Sequence, residues 1–328
     1  MRHSKIIATG SYAPERVIKN EWFNERLGED VDTWLRENLT IRERRWMTED
    51  QSTSDLCVEA GNAALDMAGL TPRDIDLLII ATDTPDFISP STASVVQYKM
   101  DLSQATSMDT NTACAGFPTA LTLANSMMVA DNSYKTVMVM GAYGMSRFLD
   151  LDDKKTVTLF ADGAGAVILE ATDKEGEGFI ASDLRTKPEY YKHMGIYGGG
   201  AADPAARSEN RGNQCLRFVE KFPKEINPTI WTDMIRTLAE KGGFEVDDIS
   251  GAYMTQININ QIWETMDNLS LPRETAPTIM DRFGYTGSAA IPMVFDKAVR
   301  DGGVNEGDTL VFVGSGGGLH FGACAYKW

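Results

Sequence analysis

The chain has 328 residues, 43% of them hydrophobic, which is enough for a large core and predicts one to three domains. Its formal net charge of −16 argues against nucleic-acid binding, because that affinity comes largely from Lys and Arg on phosphates. Four cysteines without the spacing of a disulfide framework, a polar N-terminal stretch and no run of about 20 apolar residues predict a cytoplasmic protein that does not cross a membrane.

The first half of the chain alternates between strand and helix patterns. Continuous apolar runs of strand length are typical of sheets covered on both faces, and apolar residues at helical spacing indicate amphipathic helices. The patterns predict, in order, a strand over 4–14, a helix over 52–70, a buried strand over 75–85, a helix over 91–101, a helix over 115–130 and a buried strand over 135–143.

The second half repeats the alternation after a polar, glycine-rich stretch at 184–212, which we expect to be a long loop or cap bordering a pocket. The remaining patterns predict a helical region over 213–242, a strand over 251–256, helices near 259–269 and 287–300, and strands over 308–316 and 320–328. Strands and helices in alternation indicate an α/β architecture with helices over the sheets.

Cys114 is the first candidate for chemistry. It stands among small residues in "NTACAGFPTAL", at what the pattern predicts to be the start of a helix. Free N–H groups and the helix dipole at such a position should lower the pKa of the thiol. The alternative is a buried and inert cysteine, which is the interpretation that we favour for Cys57 and Cys324.

Seven segments support a more specific interpretation by their shared order and spacing: "GSYAPERVIKNEWF", "WLRENLTIRERR", "TSDLCVEAGNAALDMAGL", "DIDLLIIATDTPDFISPSTASVVQ", "DTNTACAGFPTAL", "LFADGAGAVIL" and "GSGGGLHFGA". With these motifs the chain resembles β-ketoacyl-acyl-carrier-protein synthase III and its relatives in the thiolase superfamily. The resemblance implies a thiolase-like α/β fold of five αβαβα layers in two similar halves. The two halves would be residues 1–171, which contain the nucleophile, and residues 172–328. It also implies a homodimer.

The resemblance also implies site residues. Cys114 would carry the acyl group, and the backbone N–H groups of Cys114 and Gly317 would form the oxyanion hole for acylation. The family's two further donors are a histidine in a His-Gln-Ala-Asn motif and an asparagine in a Gly-Asn-Thr motif. Here Thr255 stands in the first position and Tyr285 in the second. Neutral threonine cannot act as a base near neutral pH, so we expect an altered second half-reaction.

Histidines are the first candidates to replace the missing base. His320 lies three residues past Gly317, where the family usually has threonine, and it would act if its ring faced the site rather than away. His193, in the polar middle stretch, is a second candidate. Tyr285 could instead donate to the acceptor, or the acceptor could react without a base.

The ligand tunnel is assigned from the same resemblance. Trp34 matches a family tryptophan that stacks on the CoA adenine, and Lys154 replaces the arginine on its other face. Asn258 matches the asparagine of the first motif. Ser89 and Ser315 replace two phenylalanines near the acyl pocket, which predicts an acyl group larger or more polar than acetyl.

The predicted function is acyl transfer from an acyl-CoA or acyl-carrier thioester, with no cofactor, through an acyl-Cys114 intermediate. The acceptor would be unusual, in specialised-metabolite or fatty-acid-related biosynthesis. An acyl carrier protein is the alternative donor, although the basic residues that usually receive it are replaced around Asn260. The alternatives are an ordinary decarboxylative synthase III of fatty-acid initiation, a non-catalytic subunit of a condensing heterodimer, and a thioesterase.

Overall fold

The structure is a computed structural model that describes residues 2–204 and 214–328. Its strands are β1 (His3–Tyr12), β2 (Val17–Lys19), β3 (Glu43–Arg45), β4 (Leu77–Ala81), β5 (Thr106–Thr110), β6 (Thr136–Gly144), β7 (Asp162–Thr172), β8 (Gly178–Thr186), β9 (Met194–Gly195), β10 (Arg217–Phe218), β11 (Ile249–Met254), β12 (Thr309–Gly316) and β13 (His320–Lys327). Its α-helices are α1 (Asn20–Leu27), α2 (Asp32–Leu39), α3 (Thr53–Ala68), α4 (Thr92–Lys99), α5 (Gly116–Ala130), α6 (Lys154–Val157), α7 (Ile226–Gly242), α8 (Ile259–Leu269), α9 (Met280–Phe283) and α10 (Ala290–Arg300).

Two sheets carry the fold. The first has the order β1-β7-β6-β4-β5, with β4 parallel to both of its neighbours. The second has the order β11-β12-β13-β8, with β11 parallel to β12 and the other pairs antiparallel. Every residue of β4 is buried, as expected for a central strand with helices on both faces of its sheet.

Helices α5 and α10 lie between the two sheets and pack against strands of both. Helix α3 covers the outer face of the first sheet, and α7 covers the outer face of the second. This confirms the predicted five-layer α/β fold. The segment Ala113–Ala130 is long and apolar enough to span a bilayer, but its position between two sheets accounts for that composition.

Close approach of α10 to the first sheet requires a glycine on β6. A Cβ built on Gly141 would lie 2.2 Å from the carbonyl oxygen of Ser288, in the turn that leads into α10. No real side chain tolerates that distance, so Gly141 allows the turn to rest directly on the strand. That turn follows closely after Tyr285, so the packing also helps to hold this side chain in place.

Most predicted elements are present, and the main difference lies before α7. The predicted helical region over 213–242 is helical only from Ile226, and β10 occupies part of the remainder. Pro223 explains the late start, because proline disfavours helical geometry at the residue before it. Residues 184–186 belong to β8 rather than to a loop, and 205–212 lie outside the described residues. The predicted boundary between 171 and 172 stays a prediction and falls at the end of β7.

A buried carboxylate on α10 ties this helix to β1. Asp296 is 2% exposed and accepts hydrogen bonds from the hydroxyls of Thr9 at 2.6 Å and Ser11 at 2.5 Å and from Nε of Arg300 at 2.9 Å. We expect Asp296→Ala to lower the free energy of unfolding by about 2 to 3 kcal/mol, because it leaves buried donors unsatisfied.

Urea unfolding followed by circular dichroism measures this loss. Asp301→Ala is the matched control, since it removes an exposed carboxylate at the end of the same helix, whose ion pair among the described residues is with Lys297. It should change stability by no more than about 0.5 kcal/mol. Equal effects of the two substitutions would contradict the assigned role of Asp296.

Candidate active site

Cys114 lies in a short 3-10 turn, Ala113–Ala115, that runs directly into α5. Ala113 has φ +47°, a region that non-glycine residues seldom adopt and that is often found where a backbone is held under strain at a functional site. The end of β12 holds the turn in place. A Cβ on Gly316 would lie 2.5 Å from the backbone nitrogen of Cys114, so only glycine permits this contact.

A cavity of about 280 Å³ opens onto this turn. It is lined by residues from both halves of the chain, and six of the predicted site residues are among them: Trp34, Cys114, Asn258, Tyr285, Ser315 and Gly317. A neighbouring cavity of about 480 Å³ includes Lys154 in its lining. Trp34, Leu159 and Phe218 line both cavities, so the two cavities adjoin.

The Cys114 thiol is almost completely buried, at 1% exposure. Burial raises the pKa of the thiol far above its usual range, and the negative charge of Asp83 raises it further. Hydrogen bonds from Tyr285, from the backbone N–H of Cys114 and from Tyr143 act in the opposite direction without offsetting the burial. The prediction that the helix start lowers this pKa is therefore wrong, and the resting group is a neutral thiol.

Tyr285 is held rigidly beside the thiol. Its backbone N–H donates to the carbonyl of Leu159 at 2.9 Å, and its carbonyl accepts from the N–H of Ala161 at 2.9 Å. Its ring packs on Phe160 and Tyr143, with centroid distances of 5.3 and 6.4 Å. Burial raises the pKa of both tyrosines well above their usual range. Both therefore remain protonated, as neutral hydroxyl groups that can donate to an oxygen or a sulfur.

Thr255 is buried behind the cavity rather than in its lining. Its Oγ1 accepts a hydrogen bond from the backbone N–H of Ser315 at 3.0 Å, and its own N–H donates to the carbonyl of Val313 at 3.0 Å. The threonine thus supports the strand end that carries Ser315 and Gly317. Asn258 does line the cavity, but its Oδ1 also caps α8 by accepting from the N–H of Asn260.

Four other candidates lie outside the cavity that contains Cys114. His320 is on β13 opposite Gly316 and pairs with Thr186 on β8, whose Oγ1 lies 3.4 Å from the His320 Nδ1. Ser89 is in an exposed loop. Lys154 pairs with Glu29 at 3.0 Å. The ring of His193 packs edge-to-face against Tyr190 and at a tilt against Phe222.

Sequence reasoning missed two residues that act on the thiol, Tyr143 and Asp83. Tyr143 lies near the end of β6, and Asp83 comes two residues after β4. A signal for both was present, because polar residues that end neighbouring parallel strands meet at one edge of a sheet. Burial raises the pKa of Asp83 to about 6.

Comparison with known proteins gives a consistent result. Residues 108–188 match the family described as 3-oxoacyl-[acyl-carrier-protein (ACP)] synthase III, and residues 239–328 match its C-terminal region. β-Ketoacyl-[acyl-carrier-protein] synthase III of Staphylococcus haemolyticus is 35% identical over 319 residues, which are 97% of each chain.

Solved structures agree with the sequence comparison. The 3-oxoacyl-(acyl carrier protein) synthase III of Pseudomonas aeruginosa PAO1 has a TM-score of 0.90 at 29% identity and covers 99% of this chain and 98% of its own. The priming β-ketosynthase of the R1128 polyketide pathway has a TM-score of 0.88 at 25% identity, and the match covers 99% of this chain and 96% of that one.

The hydroxyl of Tyr285 lowers the pKa of the thiol, so removing it should have the opposite effect. We expect Tyr285→Phe to raise the pKa of Cys114 and to slow its alkylation by iodoacetamide about tenfold at fixed pH, the effect of losing one hydrogen bond to a charged group. Alkylation is followed by intact-protein mass spectrometry. Tyr253→Phe, at a tyrosine buried in the second sheet, is the control, and an equal slowing there would refute this role.

Proposed function

The chain belongs to the 3-oxoacyl-[acyl-carrier-protein] synthase III family, and we propose that it carries an acyl group on Cys114 and extends it with a malonyl thioester. Enzymes of this family are acyl-transferring condensing enzymes with a cysteine nucleophile. The observation that carries the proposal is the position of the Cys114 thiol, which lines the cavity together with Gly317, the proposed second oxyanion donor.

In the first half-reaction the Cys114 sulfur attacks the carbonyl carbon of an acyl-CoA. The new C–S bond forms as the bond to the CoA sulfur breaks, and the backbone N–H groups of Cys114 and Gly317 stabilise the oxyanion. Support for Gly317 comes from its open surroundings, since a Cβ there would meet nothing closer than the carbonyl oxygen of Met194 at 3.2 Å.

In the second half-reaction the malonyl thioester loses carbon dioxide. The resulting enolate attacks the acyl carbon, and the Cys114 sulfur leaves with its electron pair. The enolate oxygen needs donors in a site without water. Tyr285 is the side chain best placed for this, because it lines the same cavity as Cys114 and lowers the pKa of the thiol.

A second candidate function is transfer of the acyl group to an acceptor other than a malonyl thioester. The side chain at the position assigned to the family histidine favours it: the Thr255 hydroxyl accepts from the Ser315 N–H and does not line the cavity. Loss of one oxyanion donor costs on the order of 10²-fold in rate. The loss of this donor would slow decarboxylation, which depends on such donors, more than an acyl transfer that does not depend on them.

We propose acyl-CoA as the donor and a homodimer as the assembly. The tryptophan assigned to the adenine, Trp34, is 56% exposed and lines the outer cavity together with Lys154. Strand β5 forms an edge of the first sheet within the described residues. The exposed Ile88 and Tyr98, at 84% and 87%, lie in the segment before that strand and offer apolar surface for a second copy of the chain.

The two candidate functions differ in what discharges the acyl-enzyme. We expect incubation with a panel of acyl-CoAs to add one acyl mass to the Cys215→Ala protein, a background that removes the partly exposed cysteine, and none to the Cys114→Ala, Cys215→Ala double variant. Added malonyl-CoA or malonyl carrier protein should then release a 3-oxoacyl thioester and restore the free mass. Persistence of the adduct would transfer support to the second candidate. Absence of any adduct would refute both.

The donor assignment has its own test. Trp34→Ala should raise the KM for acyl-CoA about fivefold to tenfold, because an aromatic stacking contact contributes about 1 kcal/mol, and should leave acylation by p-nitrophenyl acetate unchanged. Both are measured as initial rates of Cys114 acylation. An equal loss with the small ester would show that the substitution damages the site rather than CoA recognition.

A further inference from the structure

Asp83 approaches the nucleophile from the end of β4. Ala81, the last residue of that strand, packs against the first residue of α5, since a Cβ on Gly116 would lie 2.8 Å from the Cβ of Ala81. Gly116 follows Cys114 by two residues, and Asp83 follows Ala81 by two. The end of the strand and the nucleophile turn therefore lie side by side.

The same segment is fixed beside the end of β6. The backbone N–H of Gly144 donates to Oγ1 of Thr84 at 2.8 Å, and β4 and β6 are parallel neighbours in register. Asp83 precedes Thr84 and Tyr143 precedes Gly144, so the carboxylate and the phenol belong to adjacent strand ends. Three different elements thus bring Asp83, Tyr143 and Cys114 to one corner of the molecule.

One oxygen of the Asp83 carboxylate is unusual because it lacks a hydrogen-bond partner among the described residues, while the backbone N–H of Asp83 itself acts on the group. That oxygen is Oδ1, and it is buried. Other carboxylates of this region are satisfied: Asp86 accepts from the N–H of Ser54 and Asp162 from that of Met47. An unsatisfied buried carboxylate oxygen costs stability, and such groups are retained where they serve a function.

The titratable groups on neighbouring elements that feel the charge of Asp83 are Cys114, Tyr143 and Tyr285, and this charge raises the pKa of each. In the described part of the chain no Lys, Arg or His side chain contributes to the pKa of Asp83 itself. The carboxylate is therefore a lone negative charge behind a neutral thiol. At neutral pH it is mostly ionised and able to accept a proton.

We propose that Asp83 is the proton acceptor for the Cys114 thiol in the acylation step, an inference that rests on the proposed acyl-Cys114 chemistry. As the sulfur attacks the acyl carbon, its proton passes to the carboxylate. The CoA sulfur leaves with its electron pair and takes up that proton, which regenerates the carboxylate. Acyl-CoA and the cysteine thiol thus become acyl-cysteine and CoA thiol with no other reactant.

The proton must move together with the forming C–S bond. The thiol is a far weaker acid than the carboxyl group, so complete transfer beforehand is unfavourable. Once the sulfur is bonded to the acyl carbon its proton becomes strongly acidic, and a carboxylate with a pKa near 6 then accepts it readily. This order of events suits a thiol that rests protonated, and it gives a function to the carboxylate oxygen that has no hydrogen-bond partner among the described residues.

Asp83→Asn separates this role from a mere effect of charge. Removing the negative charge lowers the pKa of Cys114, so iodoacetamide alkylation should shift to lower pH. Removing the proton acceptor should at the same time slow acylation by the acyl-CoA that labels Cys114 and by p-nitrophenyl acetate on the order of 10²-fold near neutral pH. Rapid-quench mass spectrometry across about pH 5 to 9 measures both reactions.

The pH profile adds a second signature. Acylation of the unaltered protein should rise with pH through about 6 as Asp83 ionises, because only the ionised form accepts a proton. Asp83→Asn should lose that rise, and Asp83→Glu should restore part of the rate. Asp86→Asn, the same charge change in the same loop, should keep both the rate and the profile.

Acylation by p-nitrophenyl acetate that stays as fast or becomes faster in Asp83→Asn would overturn the proposal and leave Asp83 as a neighbouring charge only. A failure of every acyl-CoA of the panel to acylate the unaltered protein, while p-nitrophenyl acetate still does so, would instead count against the proposed function, since the small ester needs no CoA site. If Asp83→Asn loses its melting transition, Asp83→Ser provides the same comparison, with the same two outcomes.

Discussion

The contact between Gly316 and the backbone of Cys114 is the constraint on which the site depends. It joins the end of a strand in the second sheet to a turn that begins a helix between the sheets. A single methyl group at that glycine would separate the two. Because the contact is made at the nucleophile itself, the cavity beside it is lined by both halves of the chain, and each half contributes donors to one thiol.

Burial of Cys114 keeps its thiol protonated, although the position at a helix start predicts a lowered pKa. A helix N-terminus stabilises a nearby anion by about 0.3 to 1 kcal/mol, and by about 2 kcal/mol in favourable sites. Removing an ion from water costs several kcal/mol even after relaxation, so desolvation wins. Helix α5 begins at Gly116, after Cys114, which weakens the dipole effect further. The reactivity of such a thiol must come from groups whose help grows as the transition state forms.

The sequence was informative where one physical signal dominated. Helix α3 and strand β4 follow from apolar spacing, and the family follows from motifs spread along the chain. The same motifs assigned Trp34 and Tyr285 to one site, and both line the cavity that contains Cys114. The sequence was uninformative where the outcome depends on pairing or packing between distant segments. His320 pairs with Thr186 of β8 and contacts it there, and packing of the end of β4 against the start of α5 brings Asp83 near the thiol.

Departure of the Cys114 sulfur in the second half-reaction involves the same pair of groups as its attack in the first. A carboxylate that accepts the proton of the attacking sulfur is also placed to return a proton when the sulfur leaves. Without that proton, the charge of Asp83 would oppose formation of the Cys114 thiolate, since like charges destabilise each other in a buried site. The hydroxyls of Tyr143 and Tyr285 oppose this effect because both donate to the sulfur. Discharge of the acyl-enzyme therefore depends on whether the acceptor brings a proton into the site. A protic nucleophile brings one, and a malonyl carboxylate does not.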